Sequence, residues 1–125
     1  MSYKVLIVDD EVHLAKILQF TLRHAGYEAL LAHDGREALE AVKRETPDLI
    51  LLDLMLPVMD GYKVCNVLKD DQRYASIPVI ILSARDLNNE KLESPVRADL
   101  FMGKPFNTEN LLSEVSRLIS ERAIL

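Results

Sequence analysis

The sequence predicts an α/β fold: a doubly wound, five-stranded parallel sheet with helices on both faces. Three observations predict it. Short, continuous apolar runs recur along the chain. Stretches with a helical period lie between them, and alternation of this kind builds parallel sheets. The residues able to do chemistry cluster just after the apolar runs, where open α/β sheets bind ligands.

The first run, Val5-Leu6-Ile7-Val8, is continuous and rich in β-branched residues, as expected of a strand buried on both faces. A helix follows, with Leu14, Leu18, Leu22 and Ala25 on one stripe, Ile17 beside it and Gly26 as its stop. Glu28 to Ala32 is the second strand. Asp34 is positioned to cap a helix that turns Ala38, Leu39 and Val42 inward. Pro47 ends that unit, and Leu49-Ile50-Leu51-Leu52 is the most apolar strand. After Pro57 and Gly61 a third helix runs through Val64, Val67 and Leu68. Pro78-Val79-Ile80-Ile81-Leu82 is the fourth strand.

A helix is expected after Asp86, then a short strand at Leu100-Phe101-Met102. Asn107 or Thr108 caps a last helix with Leu111, Leu112, Val115, Leu118 and Ile119 on one face. The natural strand order for five such units is 2-1-3-4-5. Residues 1–125 read as one domain.

Composition narrows the function. Fifteen basic and twenty acidic residues give a formal charge of −5, which argues against nucleic acid as a direct partner. The lone cysteine, Cys65, rules out a disulfide framework within the chain and fits a reducing compartment. No apolar run is long enough to span a membrane, and no signal peptide is visible. The expectation is a cytoplasmic protein.

The strand ends carry the chemistry. Strand one ends in Asp9-Asp10-Glu11, strand three in Asp53 and strand four in Ser83, while strand five leads into Lys104. Strands one and three are neighbours, so Asp9, Asp10 and Asp53 should share a pocket. Crowded carboxylates repel one another, and a hard cation such as Mg²⁺ removes that cost. Lys104 adds a compact positive charge and Ser83 a hydroxyl. The set suits phosphoryl transfer to a carboxylate nucleophile.

Singly, each residue has a plainer reading: Asp10, Glu11 or Ser83 as a helix cap, Asp53 as a turn former, Lys104 as a solvated charge. Their joint placement at strand ends reverses the balance. His13, His24 and His33 lack metal-ligand spacing. Cys65 reads as a packed small hydrophobe.

Four segments resemble response-regulator receiver domains, over essentially the whole chain. These are Val5 to Glu11, Asp53-Leu54-Met55-Leu56-Pro57 with Met59-Asp60-Gly61, Ser83-Ala84-Arg85, and Lys104-Pro105-Phe106. The resemblance implies a flavodoxin-like fold and a two-component signalling switch that acts on no outside substrate. Asp53 would accept the phosphoryl group. Mg²⁺, with Mn²⁺ as a substitute, would bind Asp10, Asp53 and the Met55 backbone carbonyl, with Asp9 acting mainly through water. Ser83 and Lys104 would hold the phosphoryl oxygens, and Ser83 and Phe101 would form the switch pair. Lys104-Pro105 would be a cis peptide bond.

The implied partners are a sensor histidine kinase or phosphotransfer protein, docking on the first helix around Leu14 and Ile17. An output domain fused to this one is compatible with the sequence, as is a monomer or weak dimer. Two features depart from the family pattern. Arg97 stands where a Gly is usual, and Pro95 falls in a shortened stretch before strand five. A proline costs about 3 kcal/mol inside a helix, so the helix after Asp86 should be short or irregular.

Three other functions compete. An aspartyl phosphatase needs a D-x-D-x-[TV] signature, but the chain has Asp9-Asp10-Glu11-Val12. A flavin carrier needs a phosphate-cradling loop after strand one, where this chain is acidic. A receiver fold that signals without phosphate would keep the same architecture.

Overall fold

The computed structural model describes residues 2–54, 56, 59–83, 97–103 and 107–124. In chain order the elements are β1 (Lys4–Val8), α1 (Val12–His24), β2 (Glu28–Ala32), α2 (Gly35–Glu45), β3 (Leu49–Asp53), α3 (Gly61–Asp70), β4 (Val79–Ser83), β5 (Leu100–Gly103) and α4 (Thr108–Ile124). All strand pairs are parallel and the order is β2-β1-β3-β4-β5, as expected. The helix anticipated after Asp86, together with Pro95, lies outside the described residues.

Strand alternation divides the core into two layers. Leu6, Val8, Ile50, Leu52, Val79 and Ile81 face one side, packed with Ala38 and Val42 of α2 and Val64, Cys65 and Leu68 of α3. Val5, Ile7, Leu49, Leu51, Ile80 and Leu82 face the other, packed with Ala15, Leu18 and Leu22 of α1 and Leu111, Val115 and Ile119 of α4. Both faces of the central strands are thus covered, which accounts for their unbroken apolar runs.

The caps explain where the helices begin and end. Glu11 opens α1 by accepting from the backbone N–H groups of His13 and Leu14. Gly26, at φ +100°, closes it: the Gly26 N–H donates to Arg23 and the Tyr27 N–H to Leu22, both at 3.0 Å. This is the six-to-one and five-to-two pairing that a left-handed glycine permits. Asp34 caps α2 through the Glu37 N–H, Asp60 caps α3 through the Lys63 N–H, and Asn107 caps α4 through Glu109 and Asn110.

Some helix faces differ from expectation. Ala15 is buried where Ala25 was expected to be, and Ile17 and Phe20 are 61% and 71% exposed. Val67 is 42% exposed, and the core face of α3 is made by Val64, Cys65 and Leu68. His13, His24 and His33 are all on the surface.

Cys65 is fully buried, and desolvation pushes its thiol above the ordinary range. A raised value means less thiolate at any pH near neutral. Native protein at pH 8 is therefore expected to resist iodoacetamide, whereas protein in denaturant reacts at once; mass spectrometry reads both.

Candidate phosphoryl-transfer site

The site begins with register. Val8 pairs with Leu52, so Asp9 and Asp53 follow at the same level on adjacent strands. Asp53 pairs with Leu82 of β4, and Ser83 is the next residue. Ser83 in turn pairs with Gly103, which Lys104 follows. The sheet therefore delivers Asp9, Asp53 and Ser83 to one edge.

Asp9 is buried at 1% exposure. Its backbone N–H extends the ladder to Ala32, and its Oδ1 accepts from the Glu11 N–H at 2.9 Å. Asp10, the next residue, is exposed. Asp53 is 8% exposed, at the closed end of β3. Each of the three offers a carboxylate oxygen, and these oxygens lie within 4.8 Å of one another. An all-oxygen, all-anionic set of this size fits a small hard divalent cation and disfavours the softer metals that seek sulfur or imidazole.

Ser83 is buried at 2% exposure at the end of β4. Phe101, on the edge strand β5, is 40% exposed. Met55 and Lys104, the Lys104–Pro105 bond and Arg85 lie outside the described residues.

Gly61 escaped the sequence reading as anything but a helix marker. A Cβ there would stand 2.5 Å from the Asp53 carbonyl oxygen and 2.8 Å from the Leu54 Cα, both backbone. The Gly61 N–H also donates to the Leu54 carbonyl at 2.9 Å. The start of α3 thus presses directly on the chain at Asp53. Spacing within the sequence could not show this, because it depends on where the fold sets the start of α3 against the end of β3.

Arg97, the departure from the family pattern, reaches α3. Its Nη2 donates to the Asn66 carbonyl at 3.1 Å and to Asp70 Oδ1 at 2.6 Å. No described helix is long and apolar enough to cross a membrane.

Comparison with known proteins agrees with this architecture. The chain is 38% identical over 125 residues to the alkaline phosphatase synthesis transcriptional regulatory protein PhoP of Bacillus subtilis, and spans about half of that protein's length (51%). The chemotaxis response regulator CheY4 of Vibrio cholerae superposes with a TM-score of 0.86 at 34% identity, covering 94% of this chain and 99% of that one. The receiver domain of sensor histidine kinase PA1611 from Pseudomonas aeruginosa has a magnesium ion coordinated in its active site cleft. It matches with a TM-score of 0.87 at 28% identity, over 96% and 99% of the two chains. The sequence model of the response regulator receiver domain matches residues 5–116, and the chain belongs to that family.

Proposed function

We propose that residues 1–125 act as one phosphoryl-accepting switch of a two-component relay, with Asp53 as the acceptor. The observation that carries this is the gathering of Asp9, Asp10 and Asp53 within 4.8 Å at the carboxyl edge of the sheet. A carboxylate there is nucleophilic, nearly enclosed, and flanked by a set of oxygens suited to Mg²⁺.

One Asp53 carboxylate oxygen attacks the phosphorus of a phosphohistidine on a sensor kinase or phosphotransfer protein. The new O–P bond forms as the N–P bond breaks, and the departing imidazole keeps the electron pair and takes up a proton. Asp10, Asp53 and the Met55 carbonyl are the residues to hold Mg²⁺ directly, with Asp9 acting through water. When bound, the ion, or Mn²⁺ in its place, neutralises charge on the transferring oxygens. Lys104 supplies a second positive charge and Ser83 a hydroxyl donor.

The product is the signal. Drawing the Ser83 hydroxyl toward the phosphoryl group vacates space near β4, and Phe101, now part-exposed, turns in to fill it. By strand alternation Ser83 and Phe101 belong to the same face of the sheet, which supports the pairing. Val12, Ile17 and Phe20 leave an apolar patch on α1 for the donor to cover.

Intact-mass spectrometry after incubation with acetyl phosphate tests the proposal. A gain of one phosphoryl group that needs Mg²⁺ and is absent in Asp53→Asn is expected. No gain in folded protein, with a known receiver labelled in parallel, would overturn self-catalysed phosphorylation.

A further inference from the structure

We propose that Lys69 and Asp99 form a register pin for β5 on which phosphorylation of Asp53 depends, an inference that rests on the charge-supplying role given above to Lys104. A lysine in the last turn of a helix is ordinarily a solvated charge. The Lys69 side chain is only 10% exposed. Its ammonium donates to the Ala75 carbonyl at 3.1 Å, the Ile77 carbonyl at 2.9 Å and Asp99 Oδ2 at 2.9 Å. Every proton of the group is therefore used. Withdrawing a charge from water costs several kcal/mol unless it is paired and fully hydrogen-bonded, and this one is both.

Asp99 holds β4 as well. Its Oδ2 accepts from the Val79 N–H at 2.8 Å, and its own N–H donates to the Val79 carbonyl at 2.9 Å. The residue just before β5 thus grips both backbone groups of the first residue of β4, while α3 grips it from the side. Arg97 adds a second tie from the same segment to α3.

β5 needs such a device. It is a four-residue edge strand, paired with β4 alone, and none of its residues is fully buried. Burial specifies the register of such a strand weakly. A slip of one residue would shift the strand by about 3.3 Å and turn every side chain to the opposite face. The pinned register sets Leu100 against Ile80 and Gly103 against Ser83. Lys104 is the next residue in the sequence after Gly103, so a slip of β5 would carry the residue that Lys104 is joined to along with it. Asp9 and Asp10 follow β1 and Asp53 ends β3, and neither strand pairs with β5.

That independence separates a positioning role from a merely structural one. Lys69→Met, with Asp99→Asn as a milder second variant, is compared with the unaltered protein. Three quantities are read: Mg²⁺ affinity, the initial rate of phosphorylation by acetyl phosphate at saturating Mg²⁺, and hydrogen exchange of the β5 amides. Mg²⁺ affinity is expected to hold within about twofold, the rate to fall about tenfold or more, and protection to drop in β5 alone. Adding Lys69→Met to Lys104→Ala is expected to cost no further rate, because the pin acts through Lys104. Multiplying losses in that double variant, or loss of β5 protection at full rate, would overturn the pin. So would a joint fall in Mg²⁺ affinity and in protection across the whole sheet. A full rate in Lys104→Ala alone would instead show that the role given to Lys104 is wrong.

Discussion

Replacing both Asp10 and Asp53 by Asn is expected to abolish Mg²⁺ binding in a calorimetric titration, weakening it by at least about two orders of magnitude. At an effective dielectric of about 20, a carboxylate and a divalent ion about 4 Å apart attract by about 8 kcal/mol before desolvation is subtracted. A net loss of about 3 kcal/mol already amounts to about 100-fold. The same variant should be the more stable protein without metal. Three carboxylate oxygens within 4.8 Å repel one another, and two of those charges are gone. About 1 kcal/mol of relief corresponds to a rise in Tm of about 4 °C for a domain of this size. Adding Mg²⁺ should stabilise the unaltered protein, through the binding linkage, and leave the variant unchanged. A variant that still gains stability from Mg²⁺ would place the ion elsewhere.

Gly61→Ala should destabilise the domain by about 2 kcal/mol, lowering Tm by about 8 °C. Helix propensity alone predicts the opposite sign, because alanine is favoured over glycine by about 1 kcal/mol within a helix. The added carbon would meet the backbone of Asp53 and Leu54, which cannot rotate away. Relief requires moving the end of β3, so the rate of phosphorylation should fall in the protein that remains folded. Gly26→Ala is the natural contrast. It meets nothing within 4 Å, and its cost comes only from φ +100°. It should lower stability by about 1 kcal/mol and leave phosphorylation untouched. Equal effects of the two substitutions on the rate would refute the contact with Asp53.

These cases show where the sequence was informative. The strands were legible because burial on both faces leaves an unbroken apolar run, and once the strand order is set, register alone brings Asp9 and Asp53 to one level. Gly26, Asp34 and Asn107 were legible because caps are local chemistry. What failed was the fine assignment of helix faces. Ile17 and Ala25 are apolar yet outside, since apolar residues need not be buried when a neighbour such as Ala15 already fills the seam. Lys69 and Asp99 were silent for a different reason. They are 30 residues apart, and nothing local distinguishes a desolvated lysine from a solvated one. Gly61 read as a helix start, and only the folded chain reveals that it touches the backbone of Asp53 and Leu54.

The central claim is that Asp53 itself carries the phosphoryl group. Borohydride reduces an acyl phosphate of aspartate to homoserine and leaves phosphoserine and phosphohistidine unreduced. Protein phosphorylated in the presence of Mg²⁺, reduced in this way, digested and sequenced by tandem mass spectrometry should show homoserine at position 53 and at no other aspartate. Homoserine at position 9 or 10, or a phosphoryl group that survives reduction on another residue, would contradict it.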